Sequence, residues 1–253
     1  MKKLFITSDV HSYYDELMTA LDKAGFDINN EKHIFVSCGD LFDRGCFPRK
    51  CLQFVNSLPD NRKILIRGNH EDLAMSCVAR GYFAQHDMWN GTMDTIQMLS
   101  EYWQDPYAAP EEDVIESFGK NPEWLKYYDS TVDYKEVGDY IFTHGWIPSG
   151  GTKDYPIYEA NWREKSFNDA KWVNGMDMWN RGVIVPHKTV VCGHWHASYG
   201  NVNFHRLHPT AGTIKELNST FKDKGIIALD STVPRSKFLN VEVIEIEDNL
   251  LYI

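Results

Sequence analysis

The chain has 253 residues, 26 Lys plus Arg against 36 Asp plus Glu, and a formal net charge of −10 at pH 7. That length is ample for a buried core, and the acidic balance argues against a protein that holds nucleic acid or an anionic membrane through massed basic residues. Aromatics at 13% and charged residues at 25% exclude a disordered chain, and five cysteines, an odd number, give no disulfide framework.

At the start, Met1-Lys2-Lys3 resembles the head of an export signal. The apolar run Leu4-Phe5-Ile6 stops at Thr7-Ser8-Asp9, short of the ~7–15 residues a signal needs. No run approaches the ~20 apolar residues of a membrane span. A reduced, cytoplasmic location is the expectation.

Along the chain, five short apolar runs share one layout. Lys3 to Thr7 leads into Ser8-Asp9-Val10-His11. Tracing onward, His33 to Ser37 leads into Cys38-Gly39-Asp40, and Lys63 to Ile66 into Arg67-Gly68-Asn69-His70. Tyr140 to Thr143 leads into His144-Gly145, and Thr189 to Cys192 into Gly193-His194-Trp195-His196. Runs of four or five residues rich in Ile, Val and Phe, bounded by Gly or polar residues, predict buried strands. Between the first of them lie helical stripes over Asp15–Ala24, Pro48–Leu58 and Glu71–Arg80. Strand, helix, strand in repetition predicts parallel strands, whose ligands bind beyond their carboxyl ends.

Residues 82–139 and 155–181 read differently. Seven of the eight Trp lie between Trp89 and Trp179, and Glu101 to Glu123 holds seven acidic residues and one Lys. Helix is expected through most of both stretches, with Asn121-Pro122-Glu123 as one start. They form a helical elaboration inside a single domain of residues 1–253, either an aromatic core or a dedicated cap. Near the end, Gly225 to Leu229 predicts a strand. Asn240 to Glu247 alternates apolar and acidic residues, the pattern of a half-exposed, antiparallel strand.

The chemistry lies in the residues that follow the five runs: Asp9, His11, Asp40, Asp43, Arg44, Asn69, His70, His144, His194 and His196. Carboxylate, imidazole and amide donors suit borderline divalent ions such as Mn, Fe or Zn. So many donors exceed the needs of one catalytic ion, so two divalent ions sharing a bridging carboxylate are the economical reading. Two such ions, Asp9, Asp40 and a bridging hydroxide sum to about +1, which arginines raise further into a pocket for phosphate. Singly, each piece has a plainer explanation as a turn or helix cap. Their ordered recurrence after five predicted strands does not.

The series Asp9-Val-His11, Gly39-Asp40-Leu-Phe-Asp43-Arg44-Gly45, Gly68-Asn69-His70-Glu71, His144-Gly145 and Gly193-His194-Trp-His196 resembles the calcineurin-like metallophosphoesterase superfamily. The Asp-Arg-Gly and Asn-His-Glu forms resemble its phosphoprotein phosphatase branch, which includes bacteriophage-type serine/threonine phosphatases and symmetrical diadenosine tetraphosphatases. Trp179-Asn180-Arg181 resembles that branch's Trp-x-Arg element, and Ile227-Ala228-Leu229-Asp230 its late strand ending in Asp. The resemblance implies an α/β fold of two packed mixed β-sheets flanked by helices. It implies that Asp9 and His11 hold one metal, that Asp40 bridges, and that Asn69, His144 and His194 hold the second. His196 follows the Gly-His-x-His form and is implied to reach the first metal. His70 is implied as general acid, oriented by Asp43, while Arg44 and Arg181 grip phosphate oxygens. Two departures stand beside the expected site and are expected to narrow it or to change which leaving group fits: Ser12 and Trp146, each in place of Gly.

The expected function is dinuclear, metal-dependent hydrolysis of phosphate monoesters by in-line attack of a metal-bridging hydroxide, of the serine/threonine phosphatase type. Alternatives are a symmetrical dinucleoside tetraphosphate hydrolase, a non-catalytic metal- and phosphate-binding module, and a nuclease, the last disfavoured by the absence of a basic track. Mn is the first expected metal, then Fe or Zn. The expected partner is a phosphorylated substrate (a phosphoprotein, a small phosphate ester or a dinucleotide), with no nucleic acid and no membrane. His205 and His208 have ligand-like spacing, but Pro209 and polar neighbours predict a surface loop there. Cys46, next to the Asp-Arg-Gly turn, is expected at the pocket rim.

Overall fold

The computed structural model describes residues 1–205, 207, 210 and 212–250. His208 lies outside them, so the His205/His208 spacing has no structural counterpart here. No helix among the described residues is long and apolar enough to cross a membrane. All five cysteines are free, with Cys46 alone exposed.

The strands in chain order are β1 (Lys2–Thr7), β2 (His33–Cys38), β3 (Lys63–Ile66), β4 (Tyr134–Val137) and β5 (Tyr140–Thr143). There follow β6 (Gly150–Gly151), β7 (Pro156–Ile157), β8 (Thr189–Cys192), β9 (Phe221–Asp223), β10 (Ile226–Ala228) and β11 (Glu242–Ile246). One sheet has the order β11-β1-β2-β3, the other β4-β5-β8-β10-β9. Strands β1, β2 and β3 run parallel, as do β5, β8 and β10, while β11, β4 and β9 close the edges antiparallel. The fold is therefore the expected pair of mixed sheets flanked by helices.

Alternation explains why the strands are apolar on both faces. Leu4, Ile6, Ile34 and Val36 meet Phe142, Val191 and Ile227 in a core between the sheets. Phe5, Phe35 and Leu65 point the other way, into a second core under the helices. Ile141, Val190 and Ile226 do the same on the outer face of the second sheet, beneath Trp146 and Trp162. A strand buried on both faces has no polar position to spare, so its polar residues collect at its ends.

Helices α1 (Tyr14–Ala24), α2 (Pro48–Ser57) and α3 (Asn69–Arg80) match the predicted stripes to within two residues. Helices α4 (Gln85–Asn90), α5 (Thr92–Leu99), α6 (Glu111–Gly119) and α7 (Pro122–Ser130) make up most of residues 82–130, and Asn121 caps α7 as expected. They are tied to the strand ends by Phe42, whose ring lies 5.2 Å from Trp124 and 5.0 Å from Tyr127. Shorter helices are α8 (Gly175–Asn180), α9 (Ala197–Asn203), α10 (Ile214–Leu217) and α11 (Val233–Ser236).

The helical expectation fails in two places. Residues 134–137 form β4, an edge strand turning back on β5 through Gly138 and Asp139. Residues 155–181 hold β7, two single 3₁₀ turns and α8, and otherwise irregular chain. Its buried aromatics, Trp162 and Phe167, anchor it one at a time and need no continuous stripe.

This irregular segment is also held by a charge. Lys171 is 3% exposed, with Nζ 2.7 Å from Asp72 Oδ2 and 3.0 Å from Asp133 Oδ1. Removing one partner of a buried pair leaves the others uncompensated. Because both carboxylates reach solvent, the expected loss for Lys171→Met is about 2 kcal/mol, below the usual range for buried pairs. Urea denaturation measures it; an unchanged midpoint would show the pair contributes nothing.

Candidate metal centre

The carboxyl ends of the six parallel strands open at one place, and loop backbones lace them together. Asp9 N–H donates to the Gly39 carbonyl, His11 N–H to that of Asp40, and Gly193 N–H to that of His144. Glu71, fully buried at the start of α3, gathers four donors: the amides of Asp40, Leu41 and Gly68, and the Tyr127 hydroxyl. Gly68 is required by close approach. A Cβ there would lie 2.1 Å from Asp40 Oδ1 and 2.4 Å from Asp40 N.

Asp40 stands at the centre. Its Oδ1 accepts the His70 amide at 3.0 Å. Its Oδ2 lies 3.3 Å from His144 Nε2, 3.8 Å from His70 Nε2 and 3.9 Å from His11 Nε2. Two triads with ligand atoms within 4.8 Å of one another therefore share this carboxylate: His11–Asp40–His70 and Asp40–His144–His194. Asn69 Oδ1 joins the second triad, 2.9 Å from His144 Nε2.

The imidazoles are fixed from behind. His11 Nδ1 bonds the Phe42 carbonyl at 2.9 Å and His144 Nδ1 the Cys38 carbonyl at 2.8 Å. A carbonyl can only accept, so each Nδ1 carries the proton and each Nε2 faces the cluster. His194 is held likewise by the Trp172 carbonyl. Burial, then neighbouring His70 and Arg44, holds the His11 imidazole well below its usual range. Burial and His144 push His194 down to about 4. Both are neutral donors.

Positive charge is drawn to the same point. Burial disfavours the charged form of His144, yet Asp40 overrides it and pushes the imidazole up to about 10. Asp9, raised to about 6 by burial although His144 pulls it down, has Ser8 Oγ at 2.5 Å and the His194 amide at 2.9 Å but no salt bridge among the described residues. The neutral imidazoles of His11 and His194, a carboxylate shared by two triads and a buried carboxylate without a salt bridge among the described residues fit a pair of divalent ions, which would take over the charge that His144 now supplies.

The His70 ring connects this cluster to Asp43 and Arg44. Its Nδ1 lies 2.6 Å from Asp43 Oδ2, and its Nε2 lies 3.1 Å from Arg44 Nη2. Arg44 Nη1 reaches His11 Nε2 at 2.9 Å. Despite burial, Asp40 and Asp43 raise the His70 pKa above its ordinary value.

Other expected residues lie further out. His196 is half-exposed, with Nε2 3.9 Å from Asp230 Oδ2, and belongs to neither triad. Asp230 is buried, its carboxyl raised by burial and by Asp9. Arg181 is not brought to the cluster: its guanidinium pairs with Asp177 at 2.7 Å and with the Asp154 carbonyl at 3.0 Å. Nor does Trp146 narrow the site. It is fully buried in the second sheet's outer core, its indole N–H bonded to the Val183 carbonyl. Ser12 is buried with a φ of 61, a conformation that glycine adopts without strain.

Thr92 and Thr95 were invisible in the sequence. Thr92 Oγ1 donates to Asp43 Oδ2 at 2.6 Å, the oxygen that also receives His70, and Thr95 Oγ1 accepts the Asp43 amide at 3.0 Å. Asp43 Oδ1 has no partner among the described residues. Helix α5 thus clamps the carboxylate that orients His70, and Gly91 before it admits the Arg44 backbone, which a Cβ would meet at 2.4 Å. A hydrogen bond to a charged group contributes about 1.5–3 kcal/mol. We expect Thr92→Val to slow hydrolysis of esters with poor leaving groups about tenfold, and Thr92→Ser to restore it. Equal rates for Val and Ser would remove the clamp from the chemistry.

Parallel strands that aim imidazoles, a shared carboxylate and a guanidinium at one point have the architecture of a metal-dependent phosphoesterase. The family model for calcineurin-like phosphoesterases matches residues 2–222, and the chain belongs to that family. A symmetrical bis(5'-nucleosyl)-tetraphosphatase of Buchnera aphidicola subsp. Baizongia pistaciae is 39% identical over 67 residues, 26% of this chain and 23% of that protein. Another, of Vibrio campbellii, is 29% identical over 126 residues, 47% of this chain and 46% of that protein. The chain thus spans less than half the length of these curated relatives. Among solved structures, the cold-active protein-tyrosine phosphatase of the psychrophile Shewanella sp. aligns over 97% of this chain and 76% of its own, with a TM-score of 0.52 and 17% identity, a likeness of fold.

Proposed function

We propose that the chain is a dinuclear metal-dependent phosphoesterase that hydrolyses phosphate monoesters. The observation that carries this reading is Asp40 Oδ2, common to two ligand triads and faced by three imidazoles. In this proposal Asp9 and His11 hold one ion, and Asn69, His144 and His194 the other, with Asp40 between. Bound divalent ions supply charge stabilisation for the phosphoryl oxygens and acidify the attacking water.

The chain's own residues supply the rest. The guanidinium of Arg44 points between His11 and His70, where it can take a phosphate oxygen by a bidentate contact. In this reading a substrate phosphate takes over the Arg44 contact that His70 Nε2 now accepts, and His70, its ring fixed by Asp43 and its charge favoured by two carboxylates, then delivers a proton from Nε2 to the leaving oxygen. Paired with Asp177, Arg181 has no part in this reading, and His196 with Asp230 forms an outer rim.

Hydrolysis of p-nitrophenyl phosphate with added Mn tests the reading. Chelation is expected to lower turnover by at least about 100-fold, and Mn to restore it. Wild-type protein that shows no metal-dependent turnover would end the proposal.

A phosphoserine- or phosphothreonine-bearing protein is one substrate class that this site suits. The naming of the relatives as symmetrical tetraphosphatases favours a second, a dinucleoside polyphosphate. A phosphopeptide and diadenosine tetraphosphate assayed side by side separate them.

A further inference from the structure

Tyr127, on α7, is 1% exposed, and neither the motif series nor the proposed chemistry uses it. A phenol buried so completely needs a hydrogen-bond partner. Its hydroxyl donates to Glu71 Oε1 at 3.0 Å, across 56 residues of chain. Burial and Glu71 hold the phenol well above its usual range, so it keeps that proton. Its ring meets the Phe42 ring edge to face at 5.0 Å.

Both contacts end on one short stretch of backbone. Glu71 Oε2 accepts the amides of Asp40 and Gly68, at 3.1 and 2.8 Å. Oε1 accepts the Leu41 amide at 2.9 Å together with the Tyr127 hydroxyl. Leu41 is followed by Phe42, whose carbonyl fixes His11 Nδ1 at 2.9 Å. Tyr127 therefore holds the Leu41–Phe42 step twice, through Glu71 by its hydroxyl and directly by its ring. Asp40 precedes that step, and the imidazole of His11 hangs from it.

We infer, resting on the dinuclear phosphoesterase reading, that Tyr127 is a positioning residue for the ion assigned to Asp9, His11 and Asp40, and that α7 thereby sets how tightly that ion is held.

The loop needs such support. Asp40 and Asp43, on either side of the step, have φ of 52 and 73, a region that persists in non-glycine residues only while surrounding contacts hold it. Glu71 and Tyr127 supply those contacts from outside the loop. The imidazoles assigned to the other ion are anchored elsewhere, His144 on the Cys38 carbonyl and His194 on that of Trp172. Loss of the phenol therefore acts on the two ions unequally. A group that orients a ligand without touching the metal changes affinity by about 10–100-fold when it is removed. Such coupling is reciprocal, so an ion held through α7 also steadies α7.

Mn is titrated by calorimetry into metal-free wild type, Tyr127→Phe and Tyr128→Phe. The Tyr128 control removes a phenol from the same helix, one that bonds Asp72 Oδ1 at 3.3 Å and not Glu71. In Tyr127→Phe one Mn equivalent is expected to bind about tenfold weaker or more, and the other to change by less than about threefold. Tyr128→Phe is expected to match the wild type. The Mn concentration for half-maximal p-nitrophenyl phosphate turnover should rise with the weakened equivalent, while kcat at saturating Mn stays near that of the wild type. A purely structural hydroxyl would lower the unfolding midpoint and leave the Mn isotherm unchanged. Equal weakening of both equivalents, or of neither, overturns the inference. In the wild type, Mn is expected to slow hydrogen exchange across residues 122–130 several-fold. Exchange there that ignores Mn overturns the inference whether or not Tyr127→Phe folds. A wild type that binds two Mn equivalents without turnover sinks the phosphoesterase reading alone. Turnover with an unchanged Tyr127→Phe isotherm sinks the Tyr127 role alone, and a wild type that binds no Mn sinks both.

Discussion

Asp40→Asn is expected to lower phosphoester hydrolysis by roughly 10³-fold or more and to leave the protein unable to retain two equivalents of metal through dialysis. The substitution is nearly isosteric. Asparagine keeps an oxygen for the His70 amide, which Asp40 Oδ1 now accepts, and tolerates the φ of 52 at this position. What it removes is charge, at the one atom that both triads share. Burial raises the Asp40 pKa, but His144 and His70 hold the carboxyl well below the usual carboxylate range, so the charge is present at any working pH. A loss of 10³ corresponds to about 4 kcal/mol of transition-state stabilisation, a reasonable demand on a bridging group. Metal analysis and kcat are read together. Full metal content with near-wild-type turnover would mean that Asp40 is not the bridge.

His70→Asn has the next largest expected effect, and a different signature. Loss of a positioned general acid lowers the rate by about 10²–10⁴. The deficit should be largest for poor leaving groups and smallest for p-nitrophenolate, which departs without a proton. Metal content should remain intact. The geometry gives this experiment two distinct outcomes, because His70 Nε2 also belongs to a triad with His11 and Asp40. A variant that loses one equivalent of metal would make His70 a ligand. A variant that keeps both metals and shows the leaving-group dependence would make it the acid. In the proposed acid role, the Asp43 contact at Nδ1 would fix the ring and favour its charged form, and the Thr92 hydroxyl would hold Asp43 in place.

Much of this site was legible because buried parallel strands are apolar throughout, so their first polar residues mark where they end. Asp9, Asp40, Asn69, His144 and His194 were each read that way, and all lie at the shared mouth. What escaped depends on docking rather than on local pattern. Thr92 and Thr95 sit far along the chain from Asp43, on a helix whose stripe gives no hint of which loop it will meet. Glu71 was visible as part of a motif, but its four donors come from two separate loops and α7. Trp146 was read by its position next to His144. The strand before it turns that side chain into the opposite core. Arg181 matched a motif and was captured by Asp177, four residues back on α8, a local pairing that tertiary structure leaves in place.

The strand-end loops share one further property. Asp9, His11, Ser12, Asp40, Asp43, Arg44 and His194 all have φ between 49 and 73. That region costs a non-glycine residue about 1–2 kcal/mol, and only the surrounding lacework of hydrogen bonds holds it. Glycine at His11 or Arg44 would relax the backbone and empty the pocket in the same step. Libraries of this chain sorted by heat tolerance should therefore drift toward inert folds, while libraries sorted by turnover should settle at lower melting temperatures.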